Sequence, residues 1–124
     1  MQNSQTVPVL LNLLAAIVGA LGQYLYKLGG LRLGQIPLWK NWPLFTGMAL
    51  FCLVMGLFVL GFKMGGRLSV TYPAYASTFA WGFVLAAFVD HEPWSFVQLF
   101  GLIVILVGVV LVAVGPDGTP VPIR

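Results

Sequence analysis

The sequence predicts an all-α membrane protein, a bundle of four transmembrane helices, and three observations predict it. Of the 124 residues, 60% are hydrophobic and 7% charged, with a mean hydropathy of +0.98, whereas about a quarter of a soluble domain's residues are charged. The apolar residues gather into four stretches close to the roughly 20 residues that a membrane-spanning helix needs. Every Lys, Arg, Asp and Glu lies between those stretches, beyond them, or in a last turn. So few charges cannot wet the outside of a 13.4 kDa globule. That excludes a soluble enzyme domain and a disordered chain. Six scattered basic residues, despite a net charge of +3, do not make the stripe that a nucleic-acid partner requires.

The spans are Val9–Leu28, Leu44–Phe62, Val70–Val89 and Phe96–Val114, in a single transmembrane domain over residues 1–124. Met1–Thr6 has no basic segment and the first apolar run is long, so no secretory leader is expected. The first connection, Gly29–Pro43, carries Trp39 and Trp42, indoles that favour the headgroup zone. The second, Lys63–Leu68, reads as a tight basic Gly-Gly turn. The third, Asp90–Trp94, is short and acidic, and Ser95 with Gln98 forms a capping-box pattern opening the fourth helix. Lys and Arg set orientation, and here they tie. Lys63, Arg67 and Arg124 fall on the side of the N-terminus, Lys27, Arg32 and Lys40 on the other. Either so few charges say little, or the subunit inserts both ways and pairs antiparallel with itself, or a partner subunit completes it.

Helical spacing separates the faces. In the first span Asn12, Ala15, Ala16, Gly19, Gln23 and Tyr26 share a stripe with Lys27 at its edge, opposite Leu10, Leu14, Ile17, Leu21, Leu25 and Leu28. Polar amides are costly against lipid and small residues admit close approach. The stripe is a helix contact, a substrate face, or both. The third span repeats it with Thr71, Ala74, Tyr75, Thr78 and Gly82, Tyr72 lying beside. Ser77 and Thr78 either line a groove or bond to the carbonyl one turn back. Pro73 sits near the span's start, where a missing N–H costs little, or loosens that turn. Gly101, Gly108 and Gly115 recur every seven residues in the fourth span, a seam for a dimer contact. Met48, Cys52 and Met55 share a face of the second span and read as core filling.

The sequence also refuses chemistry. No span carries an acidic residue, so proton-coupled cation export lacks its carboxylate. There is no phosphate-cradling Gly-Lys-Ser loop, no metal cluster, and a single cysteine; no cofactor or catalytic residue is expected. His91-Glu92-Pro93 is a solvated turn or a gating element. The positive charges, Lys27 at a span end and Arg32, Lys40, Lys63 and Arg67 near the headgroups, suit phosphate, whether of ordinary lipid or of a lipid-linked ligand.

Gly22 five residues before Lys27 and the seven-spaced Gly101 and Gly108, within four short spans, resemble the small multidrug resistance family. Gly19 stands where that family has its essential glutamate, and Tyr72 and Tyr75 fall near its aromatic substrate positions. Gly22-Gln23 with Lys27, Leu68–Pro73 (LSVTYP) and Asp90–Ser95 (DHEPWS) are closer to the small EamA-like members of the drug/metabolite transporter superfamily. They are similar in particular to the subunits of the 4-amino-4-deoxy-L-arabinose-phosphoundecaprenol flippase. The chain departs in its N-terminal stretch and in its tail after Gly115. The resemblance implies a dimer in the bacterial inner membrane, moving a polyprenyl-phosphate-linked sugar between leaflets. The expected partners are the lipid-linked substrate, membrane lipid, and a second copy or a related small subunit. The expected substrate residues are Asn12, Gln23, Tyr72, Tyr75 and Thr78 for the head, with Lys27 and Arg67 for its phosphate; Gly101 and Gly108 hold the dimer. The alternatives are a small-multidrug-type carrier of another solute, and a non-transporting subunit of a lipid-glycosylation complex.

Overall fold

The computed structural model describes residues 5–114. Gly115 and Arg124, used above for the glycine seam and the orientation count, lie outside them. The described residues form helices and no strands: α1 (Thr6–Arg32), a 3-10 turn (Leu38–Lys40), α2 (Trp42–Lys63), α3 (Leu68–Tyr75), α4 (Thr78–Val84), a π turn (Leu85–Val89) and α5 (Phe96–Val114). Among them, α1, α2 and the run from Leu68 to Val89 are each long and apolar enough to cross a membrane. α5 adds a fourth apolar helix of 19 residues.

The small stripe on α1 is the inner face: Ala15 and Ala16 are fully buried, as are Asn12 and Gly19, while Leu10, Leu14, Ile17 and Leu21 point outward. α1 packs chiefly on α2, and glycines set the distance. A Cβ on Gly22 would lie 2.8 Å from the Phe51 ring and one on Gly47 2.8 Å from the Tyr26 ring and 3.1 Å from the Gly22 carbonyl. Tyr26 and Phe51, made neighbours by that approach, stack with centroids 5.0 Å apart. α1 runs one turn past its expected end because Gly29 fits against the backbone of Leu44 and its carbonyl accepts the Asn41 Nδ2–H at 2.9 Å. The loop thus starts at Leu33, not Gly29.

α2 ends in a Schellman turn: the Gly65 amide donates to Phe62 and the Gly66 amide to Gly61, with Gly65 at φ +92°. Gln5 binds this turn from α1, donating to the Gly65 carbonyl and accepting from the Arg67 amide. The N-terminal end of α1 and the second connection therefore lie together, as the span order requires.

Two expectations need correction. The third span is not one helix. Pro73 falls in the interior of α3, where it removes the bond to the Ser69 carbonyl and its ring crowds that turn. The chain tightens directly after it: Ala76, Ser77, Phe79 and Ala80 donate three residues back, to Pro73, Ala74, Ala76 and Ser77. The span then resumes as α4 and ends in the π turn. Nor do Met48 and Met55 fill a core: both are about half exposed on the outer face of α2, with Cys52 exposed between them. The capping box is present, with Ser95 and Gln98 each donating a backbone N–H to the other's side chain.

Candidate functional site

Three of the expected site residues share a cavity at the break in the third span. Tyr72, Tyr75 and Thr78, with Pro73, Ala76 and Phe79, face Ile105, Gly108, Val109 and Val112 of α5 across about 600 Å³. Its rim residues Tyr72, Phe79 and Val112 are at least half exposed, so the cavity opens sideways on the outer surface of the bundle. Its walls are aliphatic and aromatic, and the polar groups are tyrosine and threonine hydroxyls. Phe58 of α2 backs both tyrosines, with ring centroids 6.2 Å from Tyr72 and 5.0 Å from Tyr75.

Tyr75 also reaches through to α1. A Cβ placed on Gly19 would lie 2.2 Å from the Tyr75 hydroxyl oxygen. The missing side chain of Gly19 is the notch in which that hydroxyl sits, and any residue but glycine there would have to displace it. Sequence reading marked both positions but could not pair them, because they lie on different helices.

A second group forms at the other end of α1. Gln23 and Lys27, with Ala20 and Tyr24, face Gly82, Leu85, Ala86, Asp90 and Glu92 around a groove of about 160 Å³. The Lys27 ammonium bridges the carboxylates of Asp90 and Glu92. The acidic connection is therefore tied to α1, and Lys27 does not stand open to a phosphate: an anion has to compete with two carboxylates for it. The hydrogen bond from Lys27 holds the Asp90 carboxyl below the usual carboxylate range, against the opposing effect of desolvation. Gly19 and Lys27 are eight residues apart, so the two groups lie about 12 Å apart along the helix axis.

The remaining expected residues sit elsewhere. Asn12 is sealed between α1 and the end of α2, its Nδ2–H donating to the Pro8 carbonyl at 2.9 Å beside Gly61. It is a packing residue and lines neither cavity, so the single polar ribbon expected from helical spacing is divided into two separate groups. Arg67 caps the start of α3, its amide on Gln5, away from both cavities. Thr71, not Ser77, bonds back one turn, its hydroxyl donating to the Arg67 carbonyl. Ser77 Oγ is buried at the break with no hydrogen-bond partner among the described residues. Gly101 and Gly108 have no atom within 4 Å of an added Cβ, and Gly108 opens onto the cavity, so the two do not form one packed seam among the described residues. Sequence reading missed Asp90 and Glu92 as partners of Lys27, and their opposite charge at matching span ends was the available signal. Comparison with protein-family models, curated proteins and solved structures finds no match to this chain.

Proposed function

We propose that the protein is a membrane carrier that moves a polar-headed lipid, such as a polyprenyl-phosphate-linked sugar, across the bacterial inner membrane. The observation that carries this reading is the sideways-open cavity at the broken third span. Irregular backbone is tolerated at membrane depth only where it is covered by protein or lines a cavity. Here the break supplies hydroxyls from Tyr72 and Thr78 to a head, the Tyr75 ring forms a wall while its own hydroxyl sits in the Gly19 notch, and the aliphatic rim keeps company with an acyl chain. The unpartnered Ser77 hydroxyl adds a further group at the same depth. Lys27 offers the phosphate a cation once Asp90 and Glu92 give it up. A cargo without a proton-exchanging acid in the spans is neutral or anionic, and removal of product on the far side sets the direction.

In this reading the protein works as a dimer, antiparallel with itself or with a related small subunit. The support is α5, which packs chiefly on α3 and leaves Gly101, Phe96, Val97 and Phe100 uncovered. The likeness of Gly22, Lys27 and the glycine seam to small drug/metabolite transporters points the same way. A second reading, a carrier of another small apolar solute, draws on the same cavity, whose lining is mostly aromatic and aliphatic.

Reconstituted vesicles separate the two. Purified protein should speed the appearance of a labelled polyprenyl-phosphate sugar in the outer leaflet, and Tyr75→Ala and Lys27→Ala should each slow it at least tenfold. Accumulation of an aromatic solute with no lipid movement refutes the lipid reading.

A further inference from the structure

The first connection is a built turn rather than a slack loop. Asn41 ties it to α1 by donating to the Gly29 carbonyl, and the amides of Leu33, Gln35 and Ile36 close on the carbonyls of Gly30 and Arg32. Lys40 and Asn41 donate back to Pro37 and Leu38 in the 3-10 turn. Held in this way, the connection turns its apolar side chains outward: Leu33, Leu38 and Trp42 are more than half exposed and Trp39 is 77% exposed. Indoles so placed favour the headgroup zone of a bilayer.

Two cations stand with them. The Arg32 guanidinium lies over the Trp42 ring, 6.0 Å from its centroid, and a guanidinium stacked on a ring keeps its in-plane N–H groups for an oxygen anion. Lys40 comes two residues before Trp42, so their backbones are at most about 7 Å apart. Residues Leu33–Asn41 include no acid, and among the described residues the ion pairs at this end both belong to Lys27. Lys27 and Arg32 are five residues apart, about 140° round the helix, which puts Asp90 and Glu92 on another side of α1. The α1 carbonyls at Gly29, Gly30 and Arg32 already accept from Asn41 and the turn amides, so they do not engage the guanidinium. The N-terminal end of α2, which carries partial positive charge, begins in the same place.

We propose that Arg32, Lys40, Trp39 and Trp42 form a seat for the phosphate of an anionic bilayer lipid. The two cations take the phosphate oxygens, and the indoles lie beside the glycerol and the upper part of the chains. A zwitterionic head brings its own ammonium to the phosphate and is the weaker occupant. The bound lipid fixes the depth of the α1–α2 hairpin in one leaflet. None of the four residues lines the cavity at the broken span or the groove at Gln23. The seat is therefore independent of the cargo, and failure of lipid transport would leave it standing.

The test uses the full chain with Trp81→Phe and Trp94→Phe, which leaves Trp39 and Trp42 as the only indoles. It is reconstituted in phosphatidylcholine vesicles in which a minor fraction of the lipid has brominated chains, carried on either phosphatidylglycerol or phosphatidylcholine. Tryptophan quenching should favour brominated phosphatidylglycerol roughly fivefold in apparent affinity, about the worth of one basic side chain near an anionic surface. Arg32→Gln and Lys40→Gln should each bring that preference within about twofold of parity, on the same scale. Lys40→Arg should keep the preference, and Lys63→Gln, at the far end of α2, should leave it unchanged. Molar salt should abolish it in protein with all its basic residues, because salt screens exposed charges; this arm needs no substitution that could disturb folding. Added inorganic phosphate should not relieve the quenching, and relief would make this a site for free phosphate and overturn the proposal. Equal quenching by the two brominated lipids, or a preference that survives both glutamine variants, overturns it as well.

Discussion

Gly19→Ala isolates the contact that joins α1 to the cavity. Its added methyl would lie 2.2 Å from the Tyr75 hydroxyl oxygen and 3.0 Å from the ring carbon that bears it, where unstrained heavy atoms keep about 3.5–4.0 Å. The hydroxyl must leave its notch, and the ring must turn toward the cavity and away from Phe58. Overpacking of this kind costs about 1–3 kcal/mol. Against it stands the better helix propensity of alanine, about 1 kcal/mol, so the net effect of the single change is small and uninformative. The coupling is informative. Tyr75→Phe removes the oxygen and leaves the ring carbon as nearest neighbour, so most of the clash vanishes while the propensity gain stays. A double-mutant cycle cancels that gain and should give a coupling of about 1–2 kcal/mol, with Gly19→Ala better tolerated beside phenylalanine than beside tyrosine. Reversible denaturant unfolding in micelles, followed by far-ultraviolet dichroism, measures it. Additive effects, within the roughly 0.5 kcal/mol expected of independent sites, would refute the notch.

The neighbouring glycines of α1 give a paired control: a Cβ at Gly29 would meet the Leu44 main chain at 2.9–3.0 Å, while one at Gly30 meets nothing within 4 Å. Gly29→Val should therefore lower stability by about 1–3 kcal/mol, since no rotamer change relieves a backbone contact, and Gly30→Val should leave the melting temperature nearly unmoved. Asp90 titrates below the ordinary carboxylate range because Lys27 hydrogen-bonds and attracts its charged form. Its contribution is thus complete above the unfolded value of about 3.9 and is lost as pH falls through the lowered value. In a variant keeping Trp94 as its sole tryptophan, between Phe83 and Phe96, emission should be flat from pH 8 to 5. It should change only below about pH 4, and not in Lys27→Gln; a change centred well above pH 5 would refute the assignment to Asp90.

Helix faces were legible because solvation acts locally. The small stripe of α1 and its leucine back need only the 100° step, and Ala15 and Leu10 lie where that step puts them. The capping box at Ser95 is likewise a matter of neighbours three residues apart. Depth and pairing were not legible. Asn12, Gln23 and Tyr26 share a stripe, yet Asn12 meets the end of α2 at Gly61, Tyr26 meets α2 at Gly47 and Phe51, and Gln23 lines the groove toward Gly82 and Ala86. The break at Ala76 was within reach. Pro73 was read as costing little or loosening only the first turn because the span was started at Val70, whereas the helix begins at Leu68 and leaves the ring in its interior. The π turn has no signature in composition, and with it the meeting of Asp90 and Glu92 on Lys27 stayed hidden.

α5 leans chiefly on α3, while α1, α2 and the third-span pieces hold one another through residues that all precede Ser95. During synthesis those earlier helices can therefore reach their final arrangement before the last one leaves the ribosome. The late arrival then writes the outer wall of the cavity, and any tilt of α3 at the proline carries that wall along, so the chamber's width is set by the joint rather than by the bundle.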